Sequence, residues 1–382
     1  MDTPFRFDPV DLPPEALALR AQVRDFLAPR AGAFSAHTKG LSWMGVDQAF
    51  SRGMAAEGWI GMTWPRAYGG RERSQLERYV VLEEMLAVGA PVGFHWIADR
   101  QSGPLILKLG TEAQKRFYLP QIASGEACFC IGLSEPDAGS DLAAIRTRLK
   151  RDGEGWRLSG RKIWTTNAHH SRYMIALVRS EGTAADRHKG LSQVIVPMDA
   201  PGVEIRQIRD MAGDAHFNEV TFDDVALPAE ALIGTEGAGW AQATAELAYE
   251  RSGPERYLSS FPLLAASVDA AMPGDRLTAR VLGDAVADAA VLRSMSLAVA
   301  GMLDRGELPN NEAAVVKDIG VDFEQRLPEV ARAVAGPGAA LGDAGQFGAL
   351  YQAVLQLAPA FSLRGGTKEI VRGIMARGLG LR

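Results

Sequence analysis

The apolar positions of this chain change their period twice. From about Pro13 to Glu126 they recur at helical spacing, and the stretch from Leu76 to Val88 sets Glu83 and Glu84 on what reads as its wet side. Gly110-Thr-Glu-Ala-Gln-Lys115 predicts a helix start, with Thr111 as cap and Gln114 completing a capping box. After Ala127 short β-rich runs take over, at 144–151, 156–163, 173–179, 192–197, 203–208 and 219–222. Asp152-Gly153 and Glu154-Gly155 lie between the first two runs and predict a hairpin. No βαβ alternation occurs, and no Gly-x-Gly-x-x-Gly follows a strand, which excludes a Rossmann unit. From about Ala238 the chain is Ala- and Leu-rich and helical again, with breaks near Pro254, Pro273, Pro309 and Pro337. The expected architecture is α+β multidomain: an N-terminal helical domain (1–126), a middle antiparallel β domain (127–235) and a C-terminal helical bundle (236–382).

Bulk properties narrow the function. A length of 382 residues with 47% hydrophobic and 23% charged positions suits two to three domains with sizeable cores. The net charge of −5 and the lack of a basic stripe argue against a nucleic-acid partner. An anionic ligand would have to be met by a local Arg or Lys cluster. Cys128 and Cys130 alternate on one predicted strand and cannot close the wide loop of a structural disulfide, so a reducing compartment is expected. The start, Met1-Asp-Thr-Pro-Phe-Arg, lacks a signal pattern, and no run of about 18 apolar residues predicts a membrane span. A cytoplasmic location follows as the expectation. His169 and His170, being adjacent, would face opposite sides of a strand, and His95 and His216 are isolated, so no metal site is expected. No nucleophile elbow or P-loop is present.

The segment Cys128-Phe-Cys-Ile-Gly-Leu-Ser-Glu-Pro-Asp-Ala-Gly-Ser-Asp141 carries the most chemistry. An apolar strand runs into a loop broken by Pro136 and Gly139, leaving amides and the hydroxyls of Ser134 and Ser140 free to meet a phosphate or a ring oxygen. This pattern resembles the flavin-binding loop of acyl-CoA dehydrogenases. Gly160-Arg-Lys-Ile-Trp-Thr-Thr-Asn167 is similar to that family's second flavin segment. Phe217-Asn-Glu-Val-Thr-Phe-Asp-Asp-Val-Ala-Leu-Pro228, then Leu232-Ile-Gly234 and Gly237-Ala-Gly239, resembles the end of its middle domain. Gly365-Gly-Thr-Lys-Glu-Ile370 resembles its C-terminal motif, and Gly58-Trp-Ile-Gly-Met-Thr-Trp-Pro65 with Tyr68-Gly-Gly70 has a counterpart in its N-terminal part.

The resemblance implies FAD held between the middle domain and the C-terminal bundle. Ser134 would lie at a carbonyl edge of the isoalloxazine, and Ser140 would bond the pyrophosphate and border the thioester pocket. Trp164 would stack on the flavin, and Thr166 would offer its hydroxyl to N5. Ile131, Leu133, Gly139 and Thr165 would complete that side, with Thr367 and Glu369 contacting the cofactor from the tail. Taken alone, Trp164 reads as an ordinary core aromatic; the Trp-Thr-Thr-Asn context reverses this. Two departures concern the adenine half of FAD. Ala279-Arg-Val-Leu-Gly283 is one residue short of the family's Arg-x-x-Phe-Gly and lacks the Phe, and only Val334-Ala-Gly-Pro-Gly338 stands near its Gln-x-x-Gly-Gly-x-Gly.

The same resemblance implies removal of an α-proton from an acyl thioester while the β-hydrogen leaves as hydride. Many members place the proton acceptor, a Glu, directly before Gly-Thr in the tail, where this chain has Gly365. A minority uses a Leu-x-x-Glu-Arg setting early in the C-terminal domain, and Leu247-Ala-Tyr-Glu-Arg251 corresponds to it. Glu250 is thus the candidate base, with Arg251 ordering the site; the bland alternative is a solvated Glu-Arg pair at a helix end. Pro254, and a Ser252-Gly-Pro-Glu255 capping box, predict a helix break beside Glu250. Gly365 would keep its amide for the thioester oxygen, and Gly365 with Gly366 would leave room for a branched or larger acyl group. The role of Arg364 is not legible. The implied partners are an acyl-CoA or acyl-carrier-protein thioester, an electron-transfer flavoprotein, and either copies of this chain (dimer or tetramer) or a related subunit. The alternatives are a non-catalytic partner subunit of a heteromeric enzyme, or an oxygen-using oxidase or monooxygenase of the same fold.

Overall fold

The computed structural model describes residues 5–250, 253–272, 274–342 and 345–381, with side chains described for all of these except 245–250 and 337–342. Helices α1 (Pro14–Ala31), α2 (Ala36–Leu41), α3 (Gln48–Ala56), α4 (Gln75–Ala87), α5 (Gly93–Ile97), α6 (Gly103–Leu109) and α7 (Glu112–Ala123) come first. Strands β1 (Phe129–Gly132), β2 (Arg148–Asp152), β3 (Gly155–Thr166) and β4 (Tyr173–Arg179) follow, then β5 (Leu191–Pro197), β6 (Val203–Ile208), β7 (Phe217–Leu227) and β8 (Leu232–Ile233). Helices α8 (Gly239–Glu250), α9 (Phe261–Ala270), α10 (Arg276–Asp304), α11 (Asn310–Gly342), α12 (Gln346–Leu357) and α13 (Lys368–Gly378) complete the chain. The helical ends and middle sheet are those expected. Contacts group the chain into two units, one of residues 1–45, 73–92 and 248–382, the other of 46–72 and 93–247.

The first unit is a helical bundle. α4 opens on a capping box in which Ser74 Oγ accepts from the Glu77 amide and Glu77 Oε2 from the Ser74 amide, at 3.0 and 2.9 Å. Its apolar residues from Tyr79 to Leu86 are buried, because α1 and α10 both pack on it. Glu83 and Glu84 correct the sequence reading: both are buried. Arg20 and Arg293 donate to Glu83 at 2.7 and 2.6 Å, and Arg20 and Arg24 reach Glu84 at 2.9 and 2.8 Å. α10 pairs with α11, and α11 in turn meets α9, α12 and α13. Within α11 the backbone breaks at Gly336 (φ 73°, ψ 170°), beside the Pro337 that predicted a break. By length and composition α10 is apolar enough to cross a membrane; half of that stretch is buried inside this unit.

The second unit is an eight-stranded sheet with helices against it. The strand order is β6-β7-β3-β2-β4-β5-β8, and β1 joins β4 off this path. Most pairs are antiparallel, as expected, but β1 runs parallel to β4 from Phe129↔Tyr173 to Gly132↔Ala176. The predicted hairpin joins β2 to β3, with Gly153 in the left-handed region between Asp152 and Gly155. Inward residues of β1, β2, β3, β4, β5 and β7 form one core that includes Cys130, Leu158, Met174, Val196 and Phe222. Both cysteines are free and buried, and burial pushes the Cys128 thiol up to about 12, which suits packing rather than chemistry. The Thr111–Gln114 capping box is present on α7, and Gln114 Nε2 also donates to the carbonyls of Glu230 and Leu232 at 2.7 and 2.9 Å. Trp64 explains the glycines around it: a Cβ at Gly61 or Gly103 would lie 2.5 or 2.2 Å from its ring. His169 and His170 occupy a 3-10 turn (Ala168–His170) rather than a strand, their rings 4.0 Å apart. Among the described residues no group of three His, Cys, Asp or Glu is arranged to hold a metal.

Candidate flavin and thioester site

The loop after β1 is shaped by Glu135. The turn it opens is closed by reciprocal backbone bonds between Glu135 and Ala138, at 2.9 and 3.0 Å. The carboxylate accepts from the amides of Arg146 and Thr147 at 2.7 and 2.9 Å and from Lys162 Nζ at 2.8 Å. Beyond the turn, Asp141 and Arg187 form a bidentate pair at 2.6 and 2.8 Å. Ile131, Leu133 and Ser134 are half-buried, whereas Gly139 and Ser140 are exposed. A Cβ built at Gly139 meets nothing within 4 Å, so packing inside this chain does not require a glycine there. The space is open to a ligand backing onto the loop.

Trp164 is displayed by a defect in β3. The ladder with β7 shifts register between Lys162↔Val220 and Thr165↔Asn218, and Trp164 sits in the gap with φ +59°. For a bulky side chain that conformation costs about 1–3 kcal/mol. The ring is 56% exposed, edge-on to Phe217 at 5.9 Å, and so recovers little of that cost by burial in this chain. Flanking pairs hold the strain: Thr165 accepts from Asn218 Nδ2 through its carbonyl at 2.9 Å, and the Asn167 amide donates to His216 at 2.7 Å. Thr165 turns inward, and its buried hydroxyl has no hydrogen-bond partner among the described residues. Thr166 is half-buried. Strained backbone presenting an open aromatic face is what a stacking surface for a planar ring requires.

Lys162 joins the two segments, and the sequence reading missed it. Its side chain is fully buried, and Nζ donates to the Leu133 carbonyl at 3.1 Å as well as to Glu135. The Ile163 amide donates to the Ser134 carbonyl at 2.9 Å, so Ser134 and Trp164 are set from one short stretch of β3. Burial pulls the Lys162 ammonium down to about 8, with Glu135 opposing. Burial works to raise the Glu135 carboxyl, but Lys162 and the two amides outweigh it and hold it below the ordinary carboxylate range. A depressed carboxyl contributes stability that is present above its unfolded pKa and lost as pH falls through its folded one. The thermal midpoint should therefore drop on acidification below about pH 4.5. In Glu135→Gln the midpoint should start lower and fall less steeply there, which melting curves from pH 6 to 3 would check.

In the helical unit, Gly365 and Gly366 both have left-handed φ, 65° and 92°. Thr367 caps α13 by accepting from the Ile370 amide at 3.5 Å, and Glu369 is exposed in its first turn. The Thr367 hydroxyl lowers the Glu369 carboxyl. Arg364 now has a role: its Nη2 donates to Glu324 Oε2, Ser259 Oγ and the Glu255 carbonyl at 2.6, 2.8 and 3.0 Å. Its guanidinium also lies 4.4 Å from the Phe361 ring centroid. Burial raises the Glu324 carboxyl, Arg364 opposing. α8 ends at Glu250, and the chain is extended at Gly253 before a 3-10 turn at Pro254–Arg256, so a helix break follows as expected. The Glu250 side chain, and Arg251 and Ser252 entirely, lie outside the described residues.

Sequence models of the acyl-CoA dehydrogenase N-terminal, middle and C-terminal domains match residues 13–126, 130–225 and 269–380. Acyl-CoA dehydrogenase IpdE1 of Mycobacterium tuberculosis is 37% identical over 95% of this chain and 97% of its own length. Among solved structures, the ChsE4-ChsE5 complex from Mycobacterium tuberculosis aligns at 28% identity and TM-score 0.85, covering 98% of this chain and 100% of that one. One described as the Tcur3481-Tcur3483 steroid ACAD aligns at 27% identity and TM-score 0.86, with 98% and 100% covered. Agreement along all three segments, with a relative this similar over nearly its full length, shows that the chain belongs to the acyl-CoA dehydrogenase family of flavoprotein oxidoreductases.

Proposed function

We propose that this protein binds FAD and converts an acyl-CoA thioester to the trans-2-enoyl thioester, with Glu250 as the α-proton acceptor. The observation that carries the reading is the open face of Trp164 on strained backbone, next to Ile163, whose amide holds the Ser134 carbonyl. These residues fit the cofactor. Trp164 offers a stacking face, the half-buried Ser134 and Thr166 offer hydroxyls to the ring edge, and the vacant space at Gly139 admits a phosphate toward Ser140. FAD held by these residues would supply the acceptor for the β-hydrogen, which leaves as hydride. Ile131, Leu133 and Thr165 would back that surface, and Thr367 and Glu369 would be further cofactor contacts.

The chain's own residues handle the acidic half of the reaction. A carboxylate at Glu250, ordered by Arg251, removes the α-proton, and the Gly365 amide donates to the thioester oxygen as charge builds there. Gly365 lacks the side chain that many relatives place at this point, which supports a bulky acyl group. The likeness to a steroid ACAD points the same way. A polycyclic acyl-CoA therefore belongs in the first substrate panel, beside straight and branched chains. Electrons would leave to an electron-transfer flavoprotein.

Anaerobic titration of the purified yellow protein against that panel tests the reading. Bleaching of the flavin by at least one acyl-CoA is expected; a flavin that no thioester reduces, alone or with a partner, removes the proposal. A second reading has support in the two-component complexes that this chain resembles. In it, the chain completes a heteromer and is silent alone. Bleaching that appears only on adding a related chain would select it over a homotetramer. Oxygen uptake without another acceptor would select an oxidase instead.

A further inference from the structure

We infer that Lys317 is a positioning residue for the thioester-binding amide of Gly365; the inference rests on the proposed role of that amide. Two successive glycines with left-handed φ leave the strap 364–367 with more rotational freedom than any other residue pair would, so the direction of the Gly365 N–H has to be imposed from outside. The upstream side is imposed by the Arg364 side chain, anchored on Glu324, Ser259 and the Glu255 carbonyl. The downstream side is imposed by Lys317, whose Nζ donates to the Gly366 carbonyl from α11. Lys317 is 1% exposed. Keeping an ammonium at a buried bundle position is costly, so the hydrogen bond it gives Gly366 is a firm constraint on that peptide. One peptide further on, Thr367 closes the strap by capping α13. The Gly365 amide thus sits between two fixed points, Arg364 anchored on Glu324, Ser259 and the Glu255 carbonyl on one side, and the Gly366 carbonyl held by the buried Lys317 on the other.

The clamp matters because a donor aimed at a developing oxyanion works through placement. Misplacing such a group by about 1 Å can cost on the order of 100-fold in rate without changing its chemistry. Lys317 touches no reacting atom in this account; it acts through Gly366 on the direction of Gly365 N–H.

The test is Lys317→Met in the flavin-loaded full-length protein, assayed with whichever acyl-CoA bleaches the wild type. Expected are a kcat about 100-fold lower, KM within about twofold, and unchanged flavin content. The infrared carbonyl stretch of the same acyl-CoA, labelled with 13C at C1, should be lowered on binding to the wild type and return toward its solution value in the variant. Lys317→Gln, which retains a shorter donor for Gly366, should recover part of the rate and part of the shift. A folded Lys317→Met with wild-type kcat and an undiminished carbonyl shift overturns the inference. So does failure of both variants to fold, which would assign Lys317 to stability alone. If the wild type itself shows no carbonyl shift, the role of Gly365 fails instead, and the inference falls with it.

Discussion

Glu250→Gln should lower the rate of acyl-CoA-dependent flavin reduction by about 10²- to 10⁴-fold while leaving flavin content and thioester affinity near wild type. The range is that of removing a positioned general base. Gln keeps the shape and hydrogen-bonding capacity of Glu but cannot accept the α-proton, so the loss should fall on kcat and kcat/KM alike. The usual tail position supplies no carboxylate, since Gly365 stands there. Stopped-flow bleaching under anaerobic conditions measures it. A Gln variant that bleaches at the wild-type rate would strip Glu250 of the role and send the search to another carboxylate. If the wild type is silent alone and active only with a related chain, the same substitution should be tested in the reconstituted pair. There, an unaffected rate would assign the base to the partner.

How much of this was legible depended on whether the signal was local. Strand β4 follows from a continuous apolar run, β6 from period-two alternation and the β2–β3 hairpin from a Gly in the left-handed turn, all of which act within a few residues. Glu83 and Glu84 were misread for the opposite reason. Helical periodicity places them away from one apolar face, but α4 is covered on more than one face, and the arginines that neutralise them come from α1 and α10. Ser134 and Trp164 were legible only through their motifs. Nothing in Trp164's own chemistry announces a bulge. The Lys162–Glu135 pair had a signal that went unused: Arg161 and Lys162 are neighbours on a strand, so one of them must face inward. An inward Lys needs a carboxylate, and Glu135 was already in the loop that β3 had to meet. Arg364 and Lys317 gave no comparable warning, because their partners are 40 and 49 residues away along the chain.

Lys162→Met should destabilise the sheet unit by about 3–5 kcal/mol, the penalty for removing one partner of a buried charged pair. The argument is one of stranded groups. Without the ammonium, Glu135 keeps two backbone amides but loses its only cationic partner among the described contacts, and the Leu133 carbonyl loses its donor from Nζ. Met fills the hole with apolar atoms and satisfies neither oxygen. The expected readout is a lower urea midpoint at unchanged slope, since the surface exposed on unfolding stays the same. Adding Glu135→Gln to Lys162→Met should recover at least about 1 kcal/mol, because the second change removes the uncompensated charge left by the first. Flavin affinity should fall in Lys162→Met by more than stability alone explains, as this side chain ties β3 to Leu133 and Glu135 on either side of Ser134. A single variant within about 1 kcal/mol of wild type would mean that water or rearrangement satisfies Glu135, and the two segments would then need another tie.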